Sequence, residues 1–212
     1  MYKIDPSSLL DMKNEIIATA KLVYEKGLIS AAGGNLSVRI PGTEYLLIKA
    51  TGRPFRSLRP EDIVVIDFDG KLIEGSKKPS KEWRFHVGIY RTRPELNAII
   101  HTHSPYATVY AVLGVEIPLI TEARNTLVRV PIVEYAPSGS EKLAFAVTNA
   151  FADNKVRAVI LKNHGVVASG RNLEEALNIA ELVEDVAKIA YNYELLRTIQ
   201  SISSLVNRNL AT

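Results

Sequence analysis

Of the four histidines in this chain, three sit where chemistry can use them: His101 and His103 share the segment Asn97-Ala-Ile-Ile-His-Thr-His103, and His164 follows the apolar run Ala158-Val-Ile-Leu161. In an extended strand, residues i and i+2 project to one face with Cα atoms roughly 6–7 Å apart, so the first two imidazoles can reach a common ion. The third stands at the end of a second strand-like run beside Gly165, where a backbone without Cβ leaves room for close approach. Three neutral nitrogen donors with an open fourth position are what a catalytic Zn²⁺ requires. A lone histidine on an apolar strand is more often a satisfied core residue. By pattern alone, a metal centre and a set of core histidines both stay open. The absence of cysteine removes thiolate from the possible ligands and excludes a soft-metal cage.

Three loops can accompany the histidines: Gly33-Gly34-Asn35, Thr51-Gly52-Arg53-Pro54, and Lys78-Pro79-Ser80-Lys81-Glu82 ahead of a helix. Each can set backbone N–H groups, hydroxyls or an amide around a phosphate, the third with help from the positive end of a helix dipole. Singly, each is equally a turn or a helix start with Ser80 as its cap. Neither a Rossmann glycine fingerprint nor a P-loop is present, so no nucleotide cofactor is expected. Glu82 is placed for the first helical turn. Facing a metal it can fill the fourth position at rest and act as a base once substrate displaces it; its plainer role is to complement the helix dipole.

The elements that must position these residues are legible as periodicity. Leu9, Ile16, Ala20 and Val23 predict a helix from Pro6 to Lys26. Alternating runs predict strands at 36–40, 45–48, 63–67 and 71–74. Further on, the pattern predicts a helix from Ser80 to about Thr92, the His101/His103 strand, a short helix from Pro105 to Leu113 and a strand from Thr126 to Val133. A helix from Ser140 to Asp153, two strands flanking His164, and a long helix capped by Asn172 and ending near Thr198 complete the reading. The class is α/β, with a mixed or antiparallel sheet between helical layers. At 212 residues, with 47% apolar and 23% charged residues, the chain reads as one domain over 1–212, its core from about 8 to 198 and a tail over 199–212. No apolar stretch is long enough to span a membrane, and Met1 to Pro6 lacks a signal-peptide core, so a cytosolic protein is expected. The net charge of +3 is interspersed rather than blocked, which argues against nucleic-acid binding and suits a small anionic substrate.

Taken in order and at their intervals, Gly34-Asn35-Leu-Ser37, Thr51-Gly52, Pro79-Ser80-Lys81-Glu82-Trp-Arg-Phe-His86, His101-Thr-His103 and Asn163-His164-Gly165 resemble the class II aldolase and adducin-head superfamily. The likeness runs from about Ile16 to Leu196 and is greatest to the L-fuculose-1-phosphate aldolase branch. It implies one Zn²⁺ per subunit held by His101, His103 and His164, with Glu82 beside the metal as the catalytic acid/base. It implies phosphate contacts from Asn35, Thr51, Gly52, Ser80 and Lys81, the last standing where a second serine is common. It also implies a three-layer fold with a central mixed, mostly antiparallel sheet, and a cyclic homotetramer with active sites at subunit interfaces. The implied reaction is reversible cleavage of a ketose 1-phosphate into dihydroxyacetone phosphate and a short aldehyde. Two departures fall on the resemblance: Ala32 replaces a threonine of the glycine loop, and Glu122 replaces a tyrosine that serves the aldehyde oxygen; the tail carries no tyrosine either. Other activities on this scaffold are a pentulose-phosphate 4-epimerase and a methylthioribulose-1-phosphate dehydratase. A reading of another class is a non-catalytic interaction module like the adducin head.

Overall fold

The short apolar runs pair into a single sheet because their side chains are needed on both faces. The computed structural model describes residues 5–209. In chain order the elements are α1 (Pro6–Glu25), β1 (Asn35–Arg39), β2 (Tyr45–Lys49), β3 (Ile63–Asp67), β4 (Leu72–Glu74), α2 (Trp83–Thr92), β5 (Ala98–Thr102) and α3 (Pro105–Leu113). They continue with α4 (Arg124–Leu127), β6 (Ile132–Val133), α5 (Glu141–Ala150), β7 (Ala158–Leu161), β8 (Gly165–Gly170) and α6 (Leu173–Asn209). The eight strands run in the order β4-β3-β2-β1-β5-β8-β7-β6. Neighbours are antiparallel except for the parallel pair β6–β7, so the sheet is mixed and mostly antiparallel, as expected.

Successive strand residues serve opposite cores. Leu47, Val65, Ile100, Ile160 and Val166 pack with residues of α1, α3 and α6, whereas Leu46, Val64, Ile99, Val159 and Val167 pack with residues of α2 and α5. Both faces are covered, which is why a run such as Ile63-Val-Val-Ile66 is apolar throughout instead of alternating with polar residues. On α6 the expected stripe of Ala176, Ala180, Val183 and Ala187 is buried, and Asn172 caps the helix by accepting from the Glu175 N–H at 2.8 Å. Among the described residues, no helix is long and apolar enough to cross a membrane.

Three expectations are corrected. The strand predicted over Thr126 to Val133 is reduced to Ile132–Val133. In the stretch before it Leu127 and Val130 are buried while Thr126, Val128 and Arg129 are exposed, a spacing of three that favours the turn of α4, and Pro131 has no N–H for a ladder. The second helix starts at Trp83 rather than Ser80, because Pro79 bridges Ala50 and the Ser80 N–H is bound to the Lys49 carbonyl. Ser80 is therefore held against the end of β2, and Glu82 takes the N-cap position. Finally, α6 continues past Thr198 to Asn209. No glycine or proline interrupts it. The end of the expected tail, residues 210–212, and the start of the segment read as lacking a signal sequence, residues 1–4, lie outside the described residues.

Candidate active site

β5 lies in the middle of the sheet, and its carboxyl end carries the histidine pair. His101 is opposite Asn35 on β1 and Val167 on β8, His103 is the first residue past the strand, and His164 sits in the turn joining β7 to β8. The ring centroids of His101 are 5.0 Å from those of His103 and 4.7 Å from those of His164, with 5.3 Å closing the triangle. One nitrogen from each ring lies within 4.8 Å of the others. The turn geometry depends on two glycines: Gly34 has φ +64°, and a Cβ there would overlap the His101 carbonyl, while a Cβ at Gly165 would overlap the Thr102 carbonyl.

His101 Nδ1 pairs with the Val166 carbonyl at 2.8 Å, which assigns its ring hydrogen to Nδ1 and leaves a lone pair on Nε2. Among the described residues, that Nε2 is buried without any hydrogen-bond partner, and so is Nε2 of His103. Two orphaned ring nitrogens in one cluster are costly unless a cation completes them, so this donor set fits a divalent metal. The imidazoles are also kept neutral, as ligands must be. Burial pushes His101 down to about 4 and lowers His103 and His164.

Glu82 closes the cluster from the N-terminus of α2. Its Oε2 is 3.4 Å from His101 Nε2 and its Oε1 is 3.6 Å from His164 Nε2. Each oxygen also has a neutral donor: Asn35 Nδ2 donates to Oε2 at 2.8 Å, and Ser138 Oγ donates to Oε1 at 2.6 Å. Burial pushes this carboxyl up, but His101, the Ser138 hydrogen bond, His164 and the Asn35 hydrogen bond together outweigh it and hold the group below the ordinary carboxylate value. Because the imidazoles are themselves neutral near pH 7, we assign that stabilisation chiefly to Ser138 and Asn35.

Beside the cluster opens a cavity of 280 Å³. Asn35, Thr51, Gly52, Ser80 and Lys81, the five positions expected for an anion, all line it together with Glu82, His103 and His164. His101 lies beneath, fully buried. The N–H groups of Thr51 and Ser80 are bound to the carbonyls of Lys78 and Lys49, so these two residues offer a ligand their hydroxyls. Ala32 lines the cavity, whereas Glu122 is exposed, accepts from Asn125 Nδ2 at 2.6 Å, and does not.

Two lining residues escaped the reading of the sequence. Lys49 is 1% exposed, and its Nζ donates to the Arg53 carbonyl at 2.6 Å. Burial lowers its pKa to about 8 against the raising effect of Asp62 and Glu82. The available signal was a lysine inside the apolar run Tyr45-Leu-Leu-Ile-Lys-Ala50, just ahead of Thr51-Gly52. Ser138 comes from the loop between β6 and α5, and nothing local in Pro137-Ser-Gly139 marks it.

A family model described as the Class II Aldolase and Adducin N-terminal domain matches residues 14–191. The chain belongs to this family. The 5-deoxy-D-ribulose 1-phosphate aldolase of Bacillus thuringiensis serovar kurstaki is 38% identical to it over 183 residues, covering 84% of each chain. The L-fuculose phosphate aldolase of Methanococcus vannielii is 38% identical over 181 residues, covering 85% of this chain and 95% of its own. A solved structure of an L-fuculose 1-phosphate aldolase matches with a TM-score of 0.83 at 38% identity, covering 88% of this chain and 87% of that one. This class II aldolase domain thus shares the three-layer fold of its relatives.

Proposed function

We propose that this class II aldolase is a zinc-dependent lyase that reversibly cleaves a ketose 1-phosphate into dihydroxyacetone phosphate and a short aldehyde. The observation that carries the reading is the meeting of bare imidazole nitrogens, the Glu82 carboxylate and a cavity lined by groups able to bind an anion. A zinc ion held by His101, His103 and His164, one per subunit, supplies positive charge against the negative charge that develops on substrate oxygen. Asn35, Thr51, Gly52, Ser80 and Lys81 bind the phosphate, with the buried ammonium of Lys49 on the same wall. That anchorage orients the ketone, an effect worth several kcal/mol in favourable cases. In the condensation direction Glu82 removes a proton from the hydroxymethyl carbon of dihydroxyacetone phosphate. In cleavage it returns that proton to the same carbon.

L-Fuculose 1-phosphate, which would release L-lactaldehyde, is the first substrate reading. A second is a 5-deoxypentulose 1-phosphate, whose cleavage between C3 and C4 leaves acetaldehyde. It is favoured by the relative of that name. The whole chain acts as one domain and assembles as a homotetramer with its sites at subunit interfaces, a reading supported by large exposed apolar residues such as Phe145, Leu113 and Leu196. The test is incubation of the zinc-loaded protein with each ketose 1-phosphate and assay for dihydroxyacetone phosphate and the aldehyde. Epimerisation or dehydration of a pentulose phosphate releases no dihydroxyacetone phosphate. A zinc-loaded protein that forms none from any ketose 1-phosphate is not this enzyme.

A further inference from the structure

A buried file of hydrogen bonds leads from Glu82 into the protein. Asn35 Nδ2 donates to Glu82 Oε2 at 2.8 Å, and Asn35 Oδ1 meets His86 Nε2 at 2.5 Å. His86 Nδ1 meets Ser37 Oγ at 2.8 Å, and Ser37 Oγ meets the Tyr90 hydroxyl at 2.7 Å. The Tyr90 hydroxyl also lies 3.0 Å from the Ser37 carbonyl. The file is built on two matched periods. Asn35 and Ser37 are i and i+2 on β1, and Glu82, His86 and Tyr90 follow one another at i+4 along α2. His86 is fully buried and stacks on Phe85, whose ring in turn meets His101 edge-on.

Hydrogen counting gives the file a direction. A carboxylate only accepts, so Asn35 turns its Nδ2 toward Glu82 and its Oδ1 toward His86. An amide oxygen only accepts, so Nε2 of His86 carries the ring hydrogen. Burial pushes His86 down to about 3, so the ring is neutral and Nδ1 is bare. The Ser37 hydroxyl then donates to Nδ1. The carboxylate already selects Nδ2; the Nε2–H of His86 fixes the other end of the amide, so that Asn35 is held at both of its polar atoms.

We propose that His86 is a positioning residue: its Nε2–H locks the Asn35 amide, and through it the Glu82 carboxylate, in the orientation that transfers the proton. The proposal rests on the reading of Glu82 as the acid/base. It goes beyond satisfaction of buried polar groups, because a purely structural file would affect stability and leave turnover per folded site alone.

Two measurements test it. In the first, protein labelled with ¹⁵N histidine is examined by long-range ¹⁵N–¹H correlation, with the His86 signals identified by their loss in His86→Gln. The Nε2–H tautomer is expected; the Nδ1–H tautomer or a charged ring overturns the proposal, whatever the protein catalyses. The second compares His86→Gln, whose amide N–H₂ reaches the place of Nε2, with His86→Asn, which reaches only the place of Nδ1. At equal zinc content, His86→Asn should lower kcat by ~10–100-fold with the loss falling on kcat more than on KM, and His86→Gln should recover most of it. Equal turnover per zinc-loaded site in wild type and His86→Asn overturns the proposal. If neither variant folds, Ser37→Ala removes the hydrogen that holds Nδ1 while the Tyr90 hydroxyl keeps its bond to the Ser37 carbonyl; a fall in kcat supports the proposal and an unchanged kcat rejects it. Wild-type protein inactive on every ketose 1-phosphate sinks the functional reading instead, and the tautomer measurement still judges the file.

Discussion

Glu82 and Glu184 are both buried carboxylates, 4% and 9% exposed, and each accepts two hydrogen bonds. Glu184, on α6, accepts the N–H groups of Tyr106 and Ala107, both at 2.9 Å, in the first turn of α3. The N-cap of that helix, Ser104, makes no capping bond of its own, so Glu184 supplies the missing acceptor from another element. Burial raises its pKa against the lowering effect of these two bonds. Around Glu82, in contrast, Nε2 of His101 and of His103 have no hydrogen-bond partner among the described residues, and a cavity opens alongside. The structural carboxylate ends on the backbone N–H groups of a helix start. A functional one faces atoms left bare for something that binds, and the fold tolerates the cost.

That contrast predicts a graded series of effects. Glu82→Gln keeps the three imidazoles and should retain zinc, yet lose ~10²–10⁴-fold in cleavage rate, measured as turnover at equal metal content. Near-normal turnover by this variant would remove Glu82 from the chemistry and erase the contrast. Zinc itself comes next. Added at ~100 times its dissociation constant it should stabilise the folded protein by about 3 kcal/mol, read as a rise in the thermal midpoint. His101→Ala should lose most of that rise; an equal rise in this variant would place the metal elsewhere.

Lys49→Met should then separate stability from function. The folded protein holds this ammonium at a pKa of about 8 against an ordinary value of 10.5, so burial of the charge disfavours the ligand-free fold near neutrality. Replacing it should stabilise the ligand-free protein by roughly 2–3 kcal/mol while raising KM for a phosphorylated substrate. The sign follows from proton linkage. Between pH 8 and 10.5 the unfolded chain retains a proton that folded Lys49 has lost, so this residue makes stability rise with pH over that window. Over the same rise the site loses the positive charge of Lys49, so KM should climb above pH 8 in wild type and climb less in Lys49→Met. The smallest effect belongs to Glu184→Ala, which should cost ~1–2 kcal/mol in denaturant unfolding, as loss of a helix cap does. Turnover per zinc-loaded site should be unchanged; a fall would mean that Glu184 reaches the site after all.

Much of this was legible along the chain. The i, i+2 spacing of His101 and His103, the Gly165 that follows His164, and Asn172 ahead of an alanine-rich stripe all led to elements that the fold contains. The strands β2 and β3 were legible too, but not the division of their side chains between two cores, since a run such as Ile63-Val-Val-Ile66 is apolar throughout. Where periodicity was ambiguous the reading failed. Thr126 to Val133 has strand-forming residues, but its inward positions are three apart, and a segment at the edge of a sheet carries too few of them to reveal which period governs. The helix beginning at Ser80 was misread because the Ser80 N–H is consumed by Lys49, a partner distant in the chain.

The sequence by itself determined which groups are available: three imidazoles, one carboxylate at a helix start, and loops able to meet an anion. It determined their local spacing too, including Glu82, His86 and Tyr90 on one side of α2. Only the tertiary structure decided that these groups share one centre, that Lys49 and Ser138 join them, and which nitrogen of His101 is bare. The physical reason is that local spacing follows from backbone period alone. The choice of lone pair, the burial of a charge and the meeting of distant loops depend on neighbours that the packed sheet alone brings within hydrogen-bond reach.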